Sequence, residues 1–581
     1  MNSSRPFSRC ARVIGICLTL AVVAASCGDD VDEPVAAPAT TAAPAATTAA
    51  PATTAAPAAA AGDGSTLRIA VTEEPAGLDG WRTYKAESGP GMLNMVETLI
   101  SRDPDTNALV GELATGWEPV DELTWRFTLR EGVTFHDGTP FNAEVAAFMI
   151  NLNYSEENNY EPRLFMGPQI SATEVDDFTI DIITAEPDPI LPARVYMAGI
   201  TSLKQIQEDP DSYSTHPIGS GPYKFVEWRR GDRLVMEANP DWWGAGAASR
   251  GEANYDVVEI LFRPESAVRA AAVEAGEVDI AMWLTPEQCE SINKRAETRC
   301  EGRASPETIV IGMDQVDNPL LGDNRIRKAM ILALDRETMV DQFFDNQATI
   351  ATQMAGPGAF GWNPNLVAHP YDPDQARALV AEAKADGVPV DEVEIRILIL
   401  QEAWSRSDEF ALAFQQALLD IGLNVPELMI RERSTVQPWL AEKPPSGTRD
   451  DDGQAWSIVI PFGHGNEIFD YLGSMGHLRC ENAWSKVCYD DIDAATVAAG
   501  PLTGTDRQAA LYDIAELLHE KLYTIPVAHL DLSYGINNRI DWTIPLDHKI
   551  IAKHVYPAGT KPAAAPAAAA GDGSTLRIAV T

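Results

Sequence analysis

The amino-acid sequence predicts a mixed α/β fold divided among two to four domains. Near the start of the folded body, Leu67, Ile69 and Val71 alternate with polar or small residues, which is the period of a strand with one buried face. Further along, the segment ALAFQQALLDIGLNV places apolar residues at helical spacing and ends at Gly422. A chain of 581 residues is also too long for one ordinary domain.

The first residues predict export. Three arginines precede an apolar run at residues 13–23, which is too short to span a bilayer and is typical of a signal peptide, here residues 1–26. The small residues before Cys27 resemble a bacterial lipoprotein box, in which that cysteine carries the lipid. We therefore expect an extracytoplasmic lipoprotein anchored to the cell membrane, either periplasmic or on the cell surface. The alternative is ordinary secretion with cleavage near Ser26.

Two low-complexity segments flank the body. Residues 27–64 hold the lipidated cysteine and then Ala, Thr and Pro, which bury little area and predict a disordered tether. Residues 558–581 repeat this composition and end in GDGSTLRIAVT, the same letters as residues 62–72. Because only one copy can occupy the opening strand, we expect a disordered tail that arose by recent duplication or by an error in assembling the sequence. The alternative is pairing with a sheet edge, which would exchange strands and form a dimer.

The charge balance excludes some functions. A formal net charge of -41 with only 44 Lys and Arg argues against nucleic acid and against binding to anionic lipid surfaces. Any membrane contact should therefore come through the lipid alone. The chain also lacks the H-E-x-x-H and G-x-S-x-G signatures, so we expect no enzyme, no catalytic residue, no cofactor and no metal. A secreted hydrolase is the opposing hypothesis.

The cysteines support an oxidising compartment. Four of them remain in the body, and their spacing predicts two local disulfides, Cys289–Cys300 and Cys480–Cys488. A metal site made of all four is the alternative, although no CxxC spacing is present.

The middle of the chain alternates strand and helix patterns. In WRFTLREGVTFHDG, Trp125, Phe127 and Leu129 share one face of a predicted strand, and a turn after it leads into a second strand. In the same segment Asp137 is expected to cap a turn, and Gly138 to adopt an unusual φ there. The segment ARALVAEAKADG predicts a helix that ends before its glycine.

Several segments together resemble one family. LATGWEPVDELTWRFTLREGVTFHDGTPFNAEVAAF, PIGSGPYKFVEW, ANPDWWG, AGEVDIA, LGDNRIRKAMILALDR and HPYDPDQARALVAEA follow one another in the order seen in the extracytoplasmic solute-binding proteins of ABC importers, family 5. This is the branch that binds oligopeptides, dipeptides, nickel chelates and some oligosaccharides. The resemblance extends from about residue 66 to residue 556.

The resemblance implies a two-lobed periplasmic-binding-protein-like fold, with two mixed sheets, helices and a hinge between the lobes. Lobe one would comprise residues 65–312, with an extra subdomain inserted at about 85–205. Lobe two would comprise residues 313–525, and residues 526–557 would return to lobe one. Such a protein is expected to be a monomer that traps its ligand by hinge closure and passes it to a membrane permease. A surface protein for signalling or chaperoning is a further alternative.

Residues just past the strand ends are the candidates for lining the cleft between these lobes. Aromatic side chains suit such a cleft because they cover large apolar areas and lose little rotamer freedom on binding. The candidates in lobe one are Trp81, Tyr84 and Trp283. Those in lobe two are Trp362, Trp404, Arg406 and members of the segment PFGHGNEIFDY.

That segment bears on ligand class. Peptide-binding relatives place there an aspartate that pairs with the α-ammonium of the ligand, whereas this chain has His464 at the matching position. Asn466, Glu467 and Asp470 are the possible substitutes. Oligopeptides are the expected ligands, and an oligosaccharide, a nickel chelate or another small organic solute is the alternative. His464 and Glu467 as metal ligands form a further alternative.

Overall fold

The structure, a computed structural model, describes residues 66–79, 89–155, 170–244, 253–315, 318–400, 404, 406–432, 458–478, 480 and 487–562. The strands, in chain order, are β1 (Thr66–Val71), β2 (Glu97–Thr98), β3 (Ile100–Arg102), β4 (Leu109–Gly111), β5 (Ala114–Pro119), β6 (Thr124–Leu129), β7 (Ile170–Asp176), β8 (Thr179–Thr184), β9 (Gly199–Ile200), β10 (Tyr223–Arg229), β11 (Arg233–Ala238), β12 (Val257–Phe262), β13 (Ile280–Ala281), β14 (Thr298–Met313), β15 (Ala348–Ile350), β16 (Arg396–Leu400), β17 (Glu427–Arg431), β18 (Ile458–His464), β19 (Ile525–Asn537), β20 (Ile540–Asp541) and β21 (Tyr556–Pro557).

The helices, in chain order, are α1 (Gly89–Met92), α2 (Ala143–Tyr154), α3 (Leu191–Val195), α4 (Leu203–Glu208), α5 (Ser266–Glu274), α6 (Pro286–Asn293), α7 (Asn324–Leu332), α8 (Arg336–Phe343), α9 (Pro373–Ala385), α10 (Ser407–Asp420), α11 (Asp490–Ala499) and α12 (Gly504–Lys521). Short 3₁₀ turns occur at Ser212–Ser214, Tyr471–Leu478 and Ala552–His554. This mixture of sheets and helices confirms the predicted α/β class.

The central sheet runs through the whole body in the order β10-β11-β12-β1-β13-β19-β14-β18-β16-β17, and β15 pairs with β19. The predicted opening strand β1 lies parallel to both β12 and β13. We call the half that contains β1 lobe one and the half that contains β16 to β18 lobe two. The two long strands β14 and β19 pair with each other along most of their lengths, and they join these halves because β19 also pairs with β13 of lobe one and β14 with β18 of lobe two.

The pairing of β14 with β19 is irregular at two neighbouring places. The register shifts between Ala304 and Thr308, and again between Ile309 and Val310. Such irregularities bend strands locally and increase their twist. The two lobes therefore meet along a paired ribbon whose local distortion lies between them.

Each lobe has its own apolar core. In lobe two, helices α7 to α10 pack on one face of the sheet around residues such as Phe410 and Phe414, while α11 and α12 cover the other face. In lobe one, the core around Ile69 and Tyr534 also includes Trp542 and Val555. Both come from residues 538–562, which follow β19 and are called the C-terminal segment here. The last part of the chain is thus built into the first lobe.

A separate four-stranded antiparallel sheet, in the order β5-β6-β8-β7, forms an additional layer with helix α2. Phe127 and Leu129 of β6 are buried in this layer, as the alternating pattern predicted. The predicted strand after the turn at Gly132 was wrong. Thr134 forms only an isolated bridge to Pro140, and the chain turns back on itself through hydrogen bonds from Phe135 to Thr139 and from Phe141 to Val133.

The predicted turn and helix ends are confirmed. Gly387 follows α9 with a φ of 94° and Gly422 follows α10 with a φ of 89°, which is the left-handed conformation that glycine adopts at little cost. Asp137 accepts hydrogen bonds from the backbone N–H and hydroxyl of Thr139, and Gly138 has a φ of 80°. At each of these positions the type of residue determines the local backbone conformation.

A buried ionic cluster fixes the C-terminal segment to lobe one. Lys553 lies 2.5 Å from Glu112, and the two side chains are 7% and 8% exposed. Neighbouring Glu97 accepts hydrogen bonds from Trp242, Trp243 and the hydroxyl of a nearby serine. Burial, followed by the charge of Glu112, raises the pKa of Glu97 to about 7.

The loop before β10 passes very close to the chain after α1. A Cβ on Gly219 would lie 2.0 Å from the carbonyl oxygen of Met95, and one on Gly221 would lie 2.8 Å from the same oxygen. The two glycines of the GSGPY segment therefore permit a backbone passage that is too close for any side chain.

Candidate functional site

The lobes contact each other at Arg102, which ends strand β3. Its guanidinium donates a hydrogen bond of 3.0 Å to the carbonyl of Asn107 within the β3–β4 hairpin. A second donor reaches 2.9 Å to the carbonyl of Ile468 in lobe two. The same guanidinium lies 5.1 Å from the ring centroid of Tyr196 and 4.7 Å from that of Phe469. One cation thus bridges aromatic rings from both lobes.

Charged side chains surround this contact on the lobe-one side. The Tyr196 hydroxyl donates a hydrogen bond to Asp547, and the Lys549 ammonium lies 3.7 Å from the Tyr196 ring centroid. Burial lowers the pKa of Lys549 to about 8, although the nearby carboxylates of Asp547 and Glu467 oppose this effect. A small pocket between the β3–β4 hairpin and the C-terminal segment includes Arg102, Tyr196 and Lys549 in its lining.

His464 ends strand β18 and is 2% exposed. It lies opposite Thr308 of β14, which in turn lies opposite His529 of β19. The Thr308 hydroxyl is 2.9 Å from Nδ1 of His529. The histidine at the position expected for an aspartate is therefore part of a buried row across three strands, where the two lobes join.

Asp470 is committed within lobe two. Its two carboxylate oxygens accept hydrogen bonds of 2.7 and 3.1 Å from Arg507, and both side chains are about as buried as the core. Asn466 donates to the Asp470 carbonyl and to the Ser474 hydroxyl. These contacts fix the loop after β18 and engage the side chains of Asp470 and Asn466 within lobe two.

Glu467 differs from its neighbours in the same loop. No salt bridge to it occurs among the described residues, and a Cβ on Gly465 would lie 2.2 Å from its carboxylate, so the absence of a side chain there gives it room. Burial raises the pKa of Glu467, although the ammonium of Lys549 in lobe one opposes this. The carboxylate therefore lies near the boundary between the lobes, within electrostatic reach of a cation on the other side.

Trp283 follows β13 with a φ of 50°, a conformation that is rare for side chains of this size. Arg269 holds that backbone by donating to the carbonyls of Met282 and Trp283 at 2.7 and 3.0 Å. The indole N–H donates to the Tyr534 hydroxyl at 3.3 Å. Trp283 packs against the core of lobe one and is partly exposed beside it.

The three lobe-two candidates lie in different surroundings. Trp404 stacks on Phe344 at 6.2 Å between ring centroids and packs against the lobe-two core. Arg406 pairs with Glu409 and donates to the carbonyl of Gln342, so it is held at the surface of lobe two.

Trp362 lies in a loop that is tied to the segment after β18. Phe360 donates to the carbonyl of Phe469 at 2.8 Å, and Tyr471 donates back to Phe360 at 2.9 Å. The Trp362 indole nitrogen is buried and has no hydrogen-bond partner among the described residues. Trp362, with its unused donor, therefore belongs to a loop whose Phe360 is hydrogen-bonded to the segment after β18.

Trp81, Tyr84 and Cys27 lie outside the described residues, as does the duplicated C-terminal segment.

The two predicted cysteine pairs are brought together. The Cα atoms of Cys289 and Cys300 are 5.1 Å apart, and those of Cys480 and Cys488 are 4.5 Å apart, so each pair forms a local disulfide. The alternative of a single four-cysteine metal site is thereby removed.

Two negative findings apply to the described part of the chain. It contains no group of three or more His, Cys, Asp or Glu side chains arranged to hold a metal ion. Nor does any helix within it have the length and apolarity that a membrane crossing needs.

Sequence reasoning missed Arg102, Tyr196 and Lys549. No local pattern marks them, because Arg102 reaches Phe469 and Ile468, and Lys549 reaches Tyr196, only through contacts between distant parts of the chain. The one available signal was the charge itself, since an arginine that ends a short apolar strand needs partners if it is to be buried.

Two α/β lobes joined by a pair of long strands, with aromatic and charged side chains meeting between them, define a receptor that encloses a small solute. The chain belongs to the bacterial extracellular solute-binding proteins, family 5, whose middle-region model matches residues 108–437.

Similar proteins agree with this membership. A probable di/tripeptide-binding protein 5 from Pseudomonas aeruginosa is 24% identical over 499 residues, covering 80% of this chain and 90% of that protein. The dipeptide-binding protein of Escherichia coli is 23% identical over 479 residues, covering 77% and 85% respectively. Among solved structures, the periplasmic binding protein DppA from Helicobacter pylori, in complex with the peptide STSA, has a TM-score of 0.71 at 19% identity and covers 85% of this chain and 98% of its own. The shared fold confirms the two-lobed architecture.

Proposed function

We propose that this chain captures short peptides between its lobes and delivers them to the membrane permease of an ABC importer. Relatives named as dipeptide-binding and di/tripeptide-binding proteins support this ligand class. Closure would bend β14 and β19 near residues 304–308, where their register is irregular. In this role the protein breaks no covalent bond of the ligand, and the permease recognises the closed complex of protein and ligand.

The observation that carries the proposal is the position of Glu467. A peptide presents an α-ammonium, and a partly desolvated carboxylate is the group that binds an ammonium most strongly. Asp470 cannot take this role while both its oxygens bind Arg507. Glu467 remains available in the same loop, where no salt bridge to it occurs among the described residues and burial raises its pKa. A ligand ammonium would supply an opposite charge.

Aromatic residues would contribute the remaining affinity. Trp362 offers a ring and a buried indole N–H without a partner among the described residues, so a peptide carbonyl could accept from it. Trp283 is partly exposed on the lobe-one side. Trp81 and Tyr84 stay in the proposal as predicted cleft residues.

Calorimetric titration with trialanine, and with N-acetyl-trialanine as the matched control ligand, tests this function. We expect the free peptide to bind and the acetylated one, which lacks the ammonium, to bind at least about tenfold more weakly. Glu467→Gln should produce a similar loss, whereas Glu520→Gln, at an exposed site paired with Lys521, should bind as the unaltered chain does. Binding of both peptides with equal affinity would refute the role of Glu467. Failure of any peptide to bind would refute the ligand class.

We also propose that Cys27 carries the lipid that anchors the protein outside the cytoplasm. The apolar run before it and the tether after it support this assignment. Cys27→Ser should release the protein from the membrane fraction into the soluble fraction and abolish labelling with radioactive palmitate. A variant that remains labelled and membrane-bound would contradict the anchor.

A further inference from the structure

Arg102 is a cation between the two lobes, and contacts within lobe one fix its position. It ends strand β3, and the turn that follows is fixed by Asp103, whose carboxylate accepts from the backbone N–H of Thr106 at 2.8 Å and from its hydroxyl at 2.8 Å. The Asn107 carbonyl then accepts from the guanidinium itself. The hairpin of lobe one therefore determines where the guanidinium lies.

The partners of Arg102 in lobe two are equally fixed. Phe469 has a φ of 54°, which a bulky side chain rarely adopts. Its backbone N–H donates to the Asn466 carbonyl at 3.1 Å, and its carbonyl accepts from Phe360. The buried pair of Asp470 with Arg507 anchors the next residue. Backbone strain at Phe469 thus serves to direct its ring toward the guanidinium.

The contact itself is specific to the joined lobes. The guanidinium is flanked by Tyr196 of lobe one and Phe469 of lobe two, and it also donates to the Ile468 carbonyl of lobe two. Burial lowers the pKa of Arg102, since its charge has been removed from water. When the lobes separate, the hydrogen bond to Ile468 and the ring of Phe469 are lost together, while the contacts to Asn107 and Tyr196 persist.

We propose that Arg102 is a closure latch: a positioning residue that stabilises the closed arrangement of the lobes through Phe469 and Ile468 and thereby sets the affinity for ligand. This inference rests on the proposed capture of a solute by hinge closure. It adds that part of the affinity comes from a contact between the lobes themselves. The apparent dissociation constant equals the intrinsic one divided by the fraction of closed protein, so loss of the latch weakens binding of every ligand.

The latch makes a prediction about shape that needs no ligand. Small-angle X-ray scattering of the full chain should give a larger radius of gyration for Arg102→Ala than for the unaltered chain. Arg102→Lys keeps the charge but loses the planar fork, so it should give an intermediate value. The matched control is Arg130→Ala, because Arg130 lies 4.4 Å from the ring of Trp243 within lobe one and its removal should leave the radius unchanged. Equal radii for Arg102→Ala and the unaltered chain would overturn the latch.

A double-mutant cycle identifies the partner across the lobes. Phe469→Leu alone should expand the protein as Arg102→Ala does, and the double variant should expand it no further, since both changes remove one contact. With trialanine as the probe, each single variant should lose about fivefold or more in affinity. If the unaltered chain does not bind trialanine, the proposed ligand class fails while the scattering comparison still decides the latch. Additive effects of the two substitutions on the radius would also overturn it.

Discussion

Lys553→Met tests whether the buried ionic cluster holds the C-terminal segment on lobe one. The lysine is the cation of a pair in which both side chains are less than a tenth exposed, and Glu112 also accepts from the backbone N–H and hydroxyl of Thr98. Methionine keeps most of the apolar volume of the lysine stem while removing its charge. The substitution therefore leaves Glu112 buried beside Glu97 without its cation.

The expected loss is about 3–5 kcal/mol in the free energy of unfolding at pH 7, the range found when one partner of a buried pair is removed. The loss should shrink as the pH falls. Burial alone would raise the pKa of Glu112, but Lys553 and the hydrogen bonds to Glu112 outweigh burial and lower this pKa in the folded state. The stabilisation is therefore present above the ordinary glutamate pKa and disappears as Glu112 binds a proton below that pKa. In the variant, Glu112 takes up a proton more readily.

Guanidinium-induced unfolding at pH 7 and at about pH 3.5, below the ordinary glutamate pKa, followed by tryptophan fluorescence, measures the difference. Lys561→Met is the matched control on the same segment, because Lys561 pairs with Asp105 at 3.0 Å where the side chains are 29% and 35% exposed. That exposed pair should contribute about 0–1 kcal/mol. If Lys553→Met costs no more than Lys561→Met, the cluster does not stabilise the segment and the reasoning is refuted.

Three further measurements address other features. Replacing Cys289 and Cys300 with alanine opens a loop with a sequence separation of 11 and should cost about 3 kcal/mol in unfolding free energy, and an unchanged value would contradict a constraining role. In the folded state Glu97 holds its proton more tightly than in the unfolded state, so its contribution to the free energy of unfolding falls as the pH rises from the ordinary glutamate pKa toward about 7. Glu97→Gln should remove this pH dependence, so the unaltered chain should lose roughly 1–3 kcal/mol relative to the variant between pH 5 and pH 8. A stability difference that stays constant over this range would disprove the assignment. Gly219→Ala should cost about 3 kcal/mol, since its Cβ would meet a backbone carbonyl, whereas Gly116→Ala meets nothing within 4 Å and should change stability by less than about 0.5 kcal/mol; equal melting temperatures would argue against the close approach.

Much of the fold could be predicted because local patterns and tertiary contacts agree. The alternation at residues 66–71 marks a strand that is central and mostly buried, and the glycines after α9 and α10 adopt the conformation that ends a helix. The predicted strand after Gly132 failed because strand formation depends on a partner. Among the described residues Thr134 bridges to Pro140 alone, six positions further along the same tight turn, so no longer ladder forms.

The candidate site was less predictable from sequence. Glu467 and Asp470 look equivalent in the segment, and only the fold shows that Arg507, 37 residues away, engages one of them. Arg102 meets the carbonyl of a residue 366 positions away. Contacts of this kind depend on how two lobes approach each other, and no periodicity within a short window records that approach.

The C-terminal segment has a consequence for synthesis. Trp542, Ile550 and Val555 complete the apolar interior that begins with Leu67, so the first lobe to be translated cannot complete its core until residue 555 has been synthesised. A nascent chain would hold its amino-terminal half open throughout translation, while residues of the second lobe could already pack. Chaperones or the export machinery would therefore encounter an unfinished amino-terminal half, and a premature stop twenty codons before Val555 would leave lobe one without part of its core.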